Sequence, residues 1–321
     1  MTTYKNIKGI EIKYLSADPP APTVGQVWYN STSKVVKGAI NGLGAWASGG
    51  NLNTARSSLG GAGTQTAGLA FGGYNGSAPT GDTEEYNGSS WSEQNNLNTA
   101  RYAVVGFGTQ TAGMAFGGIP LTSKTEKYNG TSWTEVNDGN TARSRSGSVG
   151  TQTSALIFGG YTTDYVAVTE SYNGTSWSEV ADLNTARAGL GSLGTAAAAI
   201  GAGGTAPQLA ITETWDGSSW TEIANINSAR ADSGSAGIQT EGIIFAGETA
   251  GGDAAITEAW NGTSWTEVAD MATARFNVAR GVFGTSTLAL AAGGYRAVPG
   301  QSNLTEEWTV TDFTTKTFNT D

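Results

Sequence analysis

Short runs of small and apolar residues alternate with polar turns along most of this chain, and the alternation has a long period. A Trp precedes an Arg by ten residues six times: Trp46/Arg56, Trp91/Arg101, Trp133/Arg143, Trp177/Arg187, Trp220/Arg230 and Trp265/Arg275. The arginines are spaced 45, 42, 44, 43 and 45 residues apart. A glycine-rich run follows each Arg. A small-residue stretch then ends in a glycine pair, at Gly72-Gly73, Gly117-Gly118, Gly159-Gly160, Gly203-Gly204, the variant Ala246-Gly247, and Gly293-Gly294. After a variable stretch comes Thr-Glu-x-aromatic, with the aromatic at Tyr86, Tyr128, Tyr172, Trp215, Trp260 and Trp308. Five residues later stands Trp91, Trp133, Trp177, Trp220, Trp265 and finally Phe313.

Each unit predicts four short strands. The first, such as 103–108, is rich in Gly, Ala, Ser and Val, and the second, such as 112–118, alternates small and apolar residues. The third carries Thr-Glu-x-aromatic and the fourth the Trp. Between them sits Asn-Gly or Asp-Gly, which predicts a type I′ hairpin turn with positive φ at both positions. A period of 42–45 residues with four strands per unit is the arithmetic of a β-propeller. Small residues suit inner strands that crowd a central channel. A Trp or Tyr from an outer strand would fill the widening wedge between blades, each contributing roughly 1.5–3 kcal/mol by burial.

The order Arg, glycine pair, Glu-x-Tyr, Trp resembles the kelch repeat, which implies an all-β fold, a β-propeller of four-stranded blades. The resemblance spans about residues 46–321. The sixth unit departs from it, with 18 residues from Arg275 to Gly293 where the others have 16, and this reads as an insertion just after Arg275. Glycine pairs number six but fourth-strand aromatics seven, from Trp46 to Phe313. Six blades is the expected count. Seven is the alternative, with QVWYN, KVVKGAI and GAWAS as a partial blade.

Residues 1–45 lie outside the repeat. Pro19, Pro20, Pro22 and Gly25 mark an extended linker, and a hairpin is predicted around residues 30–33. The stretch Pro22-Thr23-Val24-Gly25-Gln26-Val27-Trp28-Tyr29-Asn30-Ser31-Thr32 is similar to the start of tail-fibre and other virion appendage proteins of bacteriophages, where it introduces a distal module. The same residues also fit a closing hairpin packed on the propeller. The expected division is therefore an attachment arm and hairpin over 1–45 and a propeller over 46–321.

Composition narrows the chemistry. The 321 residues include no Cys and no His, which removes thiol catalysis, disulfides, Cys/His zinc sites and His-centred triads. No metal and no cofactor are expected. Residues 1–50 carry a balance of +3, whereas the remainder holds 12 positive and 25 negative side chains, a balance of −13. An acidic body repels phosphate backbones, so no nucleic-acid partner is expected. No apolar run approaches a membrane span, so no insertion is expected. No secretory h-region opens the chain, so synthesis in a cytoplasm is expected.

The six repeat arginines invite comparison with the arginine cluster of sialidase-type propellers. They recur once per unit, however, and are matched by Glu84, Glu126, Glu170, Glu213, Glu258 and Glu306. A repeated structural ion pair is the expectation, and the protein is predicted not to be an enzyme. The Asn-Gly-Ser/Thr triplets beginning at Asn75, Asn87, Asn129, Asn173 and Asn261 match the glycosylation pattern but read as turns.

A binding surface is predicted where the repeats differ. The turn after the first strand and the Asn-Gly turn share one face and barely change between repeats. The loops between second and third strands share the other face with the Arg connections, and they vary: YNGSAPTGD, IPLTSK, YTTDYVAV, TAPQLAI, ETAGGDAAI and YRAVPGQSNL. The candidate ligand-binding residues on that face are Tyr74, Tyr102, Tyr161, Tyr165, Phe276, Tyr295 and Arg296, since loop aromatics on a rigid scaffold suit sugar or protein recognition. Together the resemblances imply a phage virion protein made in the bacterial cytoplasm. Its residues 1–45 would bind other virion proteins, and its variable face a host-surface glycan or protein. A homo-oligomer, passive capsid or tail decoration, and a cellular kelch-type interaction scaffold are the further options.

Overall fold

Glycine-rich first strands have a steric cause. A Cβ on Gly60 would lie 2.3 Å from the Phe71 ring, and one on Gly106 would lie 2.4 Å from the Gly61 carbonyl oxygen. First strands of successive repeats therefore meet backbone to backbone. The computed structural model describes residues 12–20, 26–40, 42, 44–205, 207–311 and 314–318. It divides into two compact units, 1–44 with 310–321, and 45–309.

The larger unit is an all-β fold built of repeated four-stranded antiparallel sheets. The first repeat pairs Gly60–Thr64, Ala67–Phe71, Thr83–Tyr86 and Trp91–Gln94 in that order. Four further repeats, spanning 105–136, 147–180, 191–223 and 234–267, copy this arrangement. The sixth sheet has three strands, in the order Leu288–Ala292, Thr305–Val310, Gly44–Ser48. GAWAS thus supplies the outer strand of the sixth sheet rather than part of a seventh. Phe313, and Pro22 to Gly25 of the N-terminal motif, lie outside the described residues.

Apolar cores lie between consecutive sheets, and the Trp fills each wedge. Trp133, on the second sheet, sits 4.8 Å from Phe71 of the first, ring centre to ring centre. Its indole donates to Thr83 Oγ1 at 3.0 Å. Trp177 and Trp220 do the same to Thr125 and Thr169 of the preceding repeat. Trp91 of the first repeat donates to Thr305 of the sixth, and Trp46 to Thr257 of the fifth. The Trp265 indole and the Thr212 hydroxyl, at the equivalent positions, have no hydrogen-bond partner. The opening Thr of Thr-Glu-x-aromatic thus accepts the next repeat's Trp.

The turn after the first strand, Gly-Thr-Gln-Thr in the first three repeats, carries a second latch. Gln110 donates to the carbonyls of Gly68 and Tyr86 in the preceding repeat, and Gln152 to those of Gly113 and Tyr128. Gln65 of the first repeat reaches the Trp308 carbonyl of the sixth at 2.6 Å.

Each Arg meets its Glu, at 2.5–3.2 Å in all six repeats, with every Arg side chain fully buried. The carboxylate does a second job: Glu84 Oε2 accepts from the backbone and side-chain nitrogens of Asn53, and Glu126 does likewise from Asn98. Burial lowers the Arg143 pKa to about 10, with Glu170 partly offsetting the shift.

The Asn-Gly turn differs from expectation. Four residues, 87–90, separate the paired Tyr86 and Trp91, and of that Asn-Gly pair Gly88 alone has positive φ (89°). The Asn87 side chain instead accepts from the Ser89 and Ser90 amides. Asn129, Asn173 and Asn261, and Asp216 in the fourth repeat, do the same. The side-chain acceptor, not a left-handed Asn, is what the turn selects.

In the smaller unit, Lys13–Leu15 runs parallel to Val27–Asn30, which pairs antiparallel with Val35–Ile40 across the turn 31–34. Thr314–Phe318 completes that sheet. Asp18 ties it together, accepting from the Trp28 indole, the Asn30 amide and Lys37. These bonds, Lys37 foremost, lower the Asp18 pKa to about 2.

Candidate functional site

The Arg connections of the six repeats build one surface. The residue after each Arg bridges to the residue after the glycine pair: Ser57 to Tyr74, Tyr102 to Ile119, Ser144 to Tyr161, Ala188 to Thr205, Ala231 to Glu248, and Phe276 to Tyr295. The variable loops are thereby hydrogen-bonded to the Arg connections.

One residue further on, the chain turns left-handed. Ser58, Ala103, Arg145, Gly189, Asp232 and Asn277 have φ between 52° and 70°. Their backbones bond from repeat to repeat: Ala103 N donates to Ser58 O, Arg145 to Ala103, Gly189 to Arg145, Asp232 to Gly189, and Asn277 to Asp232. Ser58 N then donates to Asn277 O at 2.8 Å, so the six bonds return to their start.

Side chains at these positions differ, and three repeats place charged or amide ones there. Arg145 donates through Nε and Nη2 to both oxygens of Asp232, 87 residues away, at 3.2 and 2.5 Å. Arg280 donates to Asp232 Oδ1 and to Asn277 Oδ1, both at 2.5 Å. Burial opposes charge on Asp232, but Arg280 and Arg145 outweigh it and hold its pKa below the usual range. Burial also opposes the Arg145 charge, and Asp232 overrides it, so its pKa is raised. Tyr165 and Glu248 also lie within electrostatic reach of Arg145. Burial, followed by repulsion from Asp232, raises the Glu248 pKa.

Arg280 comes from the two extra residues of the sixth repeat. Val278 abuts Gly294 as Leu59 abuts Gly73, so the register still holds three residues past Arg275. Ala279 N bonds Ala292 O, and Leu290 N bonds Phe283 O, as their counterparts pair in the first repeat. The excess therefore lies at 280–282, not directly after Arg275. Three residues there replace the single Gly61 of the first repeat and break the sixth sheet's first strand. Arg280 O accepts from Gly61 N and Gly106 N, and residue 282 bridges to Ser235.

Gly189 makes room for this cluster. Five other residue types occupy the same left-handed position, so conformation alone does not demand glycine here. A Cβ on Gly189, however, would lie 2.4 Å from Asp232 Oδ1. Gly189→Ala is expected to cost about 1–2 kcal/mol in urea unfolding, and an unchanged midpoint would show that Asp232 has space to move.

Six of the seven sequence-predicted residues form three aromatic pairs rather than one cluster. Tyr74 packs on Tyr102 of the next repeat at 5.5 Å, Tyr161 on Tyr165 at 5.3 Å, and Phe276 on Tyr295 at 5.4 Å. All six rings are half-buried. Arg296 lies on a short hairpin beside Tyr295, with its Nε buried and unpartnered. No family model matches the chain, and neither does any curated protein. Among the described residues, no group of three or more acidic side chains is placed to hold a metal, and no helix is long and apolar enough to cross a membrane.

Sequence reasoning missed Arg145, Asp232, Asn277 and Arg280. A signal did exist: the position two after each repeat Arg reads Ser, Ala, Arg, Gly, Asp, Asn, with opposite charges in two repeats.

Proposed function

We propose that this protein is a bacteriophage virion appendage protein whose repeat unit is a six-bladed, kelch-like β-propeller displaying one variable face to a host-surface glycan. The six-blade reading is supported by the backbone cycle through Ser58 and Asn277 and by the Trp91–Thr305 and Gln65–Trp308 contacts between first and sixth repeats. Residues 1–45 are the arm that docks on other virion proteins.

The observation that carries the recognition reading is the contrast between the two loop sets. Asn-Gly turns repeat one geometry, whereas the loops bonded to the Arg connections present three aromatic pairs that differ between repeats. Half-buried rings held by neighbours offer flat faces at little entropic cost, which suits stacking on sugar rings.

The test is binding of the full chain to host cells and to arrayed bacterial surface polysaccharides. Changing Tyr161, Tyr165 and Tyr295 together to Ala is expected to weaken binding by roughly tenfold to a thousandfold, at about 0.5–1.5 kcal/mol per ring. Unchanged binding would remove the face from the mechanism. Binding to no surface at all would favour passive decoration or a cellular scaffold.

A further inference from the structure

The centre of the hydrogen-bonded cycle holds more positive than negative charge in its ion cluster. Arg145 and Arg280 face a single carboxylate, Asp232, with Asn277 as the remaining acceptor. Arg145 commits Nε and Nη2, which leaves Nη1 without a partner among the described residues, and its side chain is 26% exposed. Arg280 is 4% exposed, and its Nε and Nη1 are buried without an acceptor. Buried donors left unanswered are costly, so such a group favours an anion nearby.

The surroundings shape what anion fits. Asp232 grips Arg145 through two parallel bonds, fixing the guanidinium before any ligand arrives. Ser58, Ala103 and Gly189, the other residues of the cycle, are small. Tyr165, packed edge-on against Tyr161, lies within electrostatic reach of Arg145. The residues 280–282 cross the centre one layer below, between Gly61, Gly106 and Ser235, and form a floor.

We propose that the Arg145–Asp232–Arg280–Asn277 cluster binds the carboxylate of an acidic saccharide, such as a sialic or uronic acid residue, while the Tyr161–Tyr165 pair packs on its ring. This deepens the glycan reading above and rests on it. Charge and donors come from Arg145 at the surface, and Arg280 and Asp232 hold it in place. Glu248, within electrostatic reach of Arg145 and Asp232, opposes the ligand's charge.

The experiment is calorimetric titration of the full-length protein with 3′-sialyllactose and trigalacturonic acid. Lactose and maltotriose serve as neutral counterparts, and sodium acetate and triglycine as bare and peptide carboxylates. An acidic sugar is expected to bind at least about tenfold more tightly than its neutral counterpart, and Arg145→Gln to abolish that preference. Glu248→Gln leaves every bond of the cluster intact and is expected to tighten acidic-sugar binding by about two- to threefold. It reads the same field if Arg145→Gln lowers the melting temperature. Equal binding of acidic and neutral sugars, or a preference that survives Arg145→Gln in a folded protein, overturns this inference and leaves the glycan reading standing. Binding of no saccharide overturns both. Triglycine or acetate binding through Arg145 as tightly as the sugars overturns the saccharide assignment.

Discussion

Replacing Glu170 by alanine is expected to destabilise the protein by about 3–5 kcal/mol. Glu170 and Arg143 are both fully buried and 3.1 Å apart. Removing the acid leaves the guanidinium with the Val168 carbonyl as its hydrogen-bonding partner. It also strips acceptors from the Asn140 amide and side chain and from the Thr141 amide. The double change Arg143→Met with Glu170→Leu removes both charges and should recover part of the loss, because no buried charge is then orphaned. It should not recover all of it, since the Asn140 and Thr141 backbone amides still lack the acceptor that Glu170 gave them. Urea unfolding of the three proteins checks this. A Glu170→Ala loss below about 1 kcal/mol would mean that water reaches the guanidinium and the pair is not sealed.

This pair was legible because it repeats: six arginines and six glutamates at matching offsets leave little else for them to do. The sheets and the Trp wedges were legible for the same reason. What did not repeat was harder to read. The Asn-Gly turn fits a two-residue hairpin by composition, and nothing local indicates that the Asn side chain would cap a four-residue loop. The excess in the sixth repeat was visible as a count, but its place at 280–282 depends on Val278 keeping register against Gly294. The Arg145–Asp232 contact links the third repeat to the fifth across Gly189, and no spacing rule connects residues 87 apart. The candidate loop aromatics lie on one connected surface, yet the charged centre beside them comes from non-repeating positions that a consensus averages away.

Removing Gly44–Ser48 is the second change expected to be severe. This strand lies beside Thr305–Val310 and completes the sixth sheet from the opposite end of the repeat region. Its Trp46 packs 4.9 Å from Phe245 and 5.6 Å from Trp308, and donates to Thr257. Without it, the Thr305–Val310 strand becomes an open edge, and the aromatic faces of Phe245 and Trp308 lose their cover. Two fragments isolate the effect, one spanning 44–310 and one spanning 49–310, since both lack the smaller unit and differ only by this strand. The shorter fragment is expected to lose at least about 3 kcal/mol, the low end for a Trp truncation because Trp46 is half-buried. It should also self-associate with rising concentration through the exposed edge, as sedimentation would show. Trp46→Ala in the longer fragment separates the two causes. It should reproduce the loss of stability without the self-association, because the backbone of the strand still covers its neighbour. Equal stability of the two fragments would mean that the sixth sheet holds without its outer strand, and the six-bladed reading would then lose one of the contacts that join its two ends.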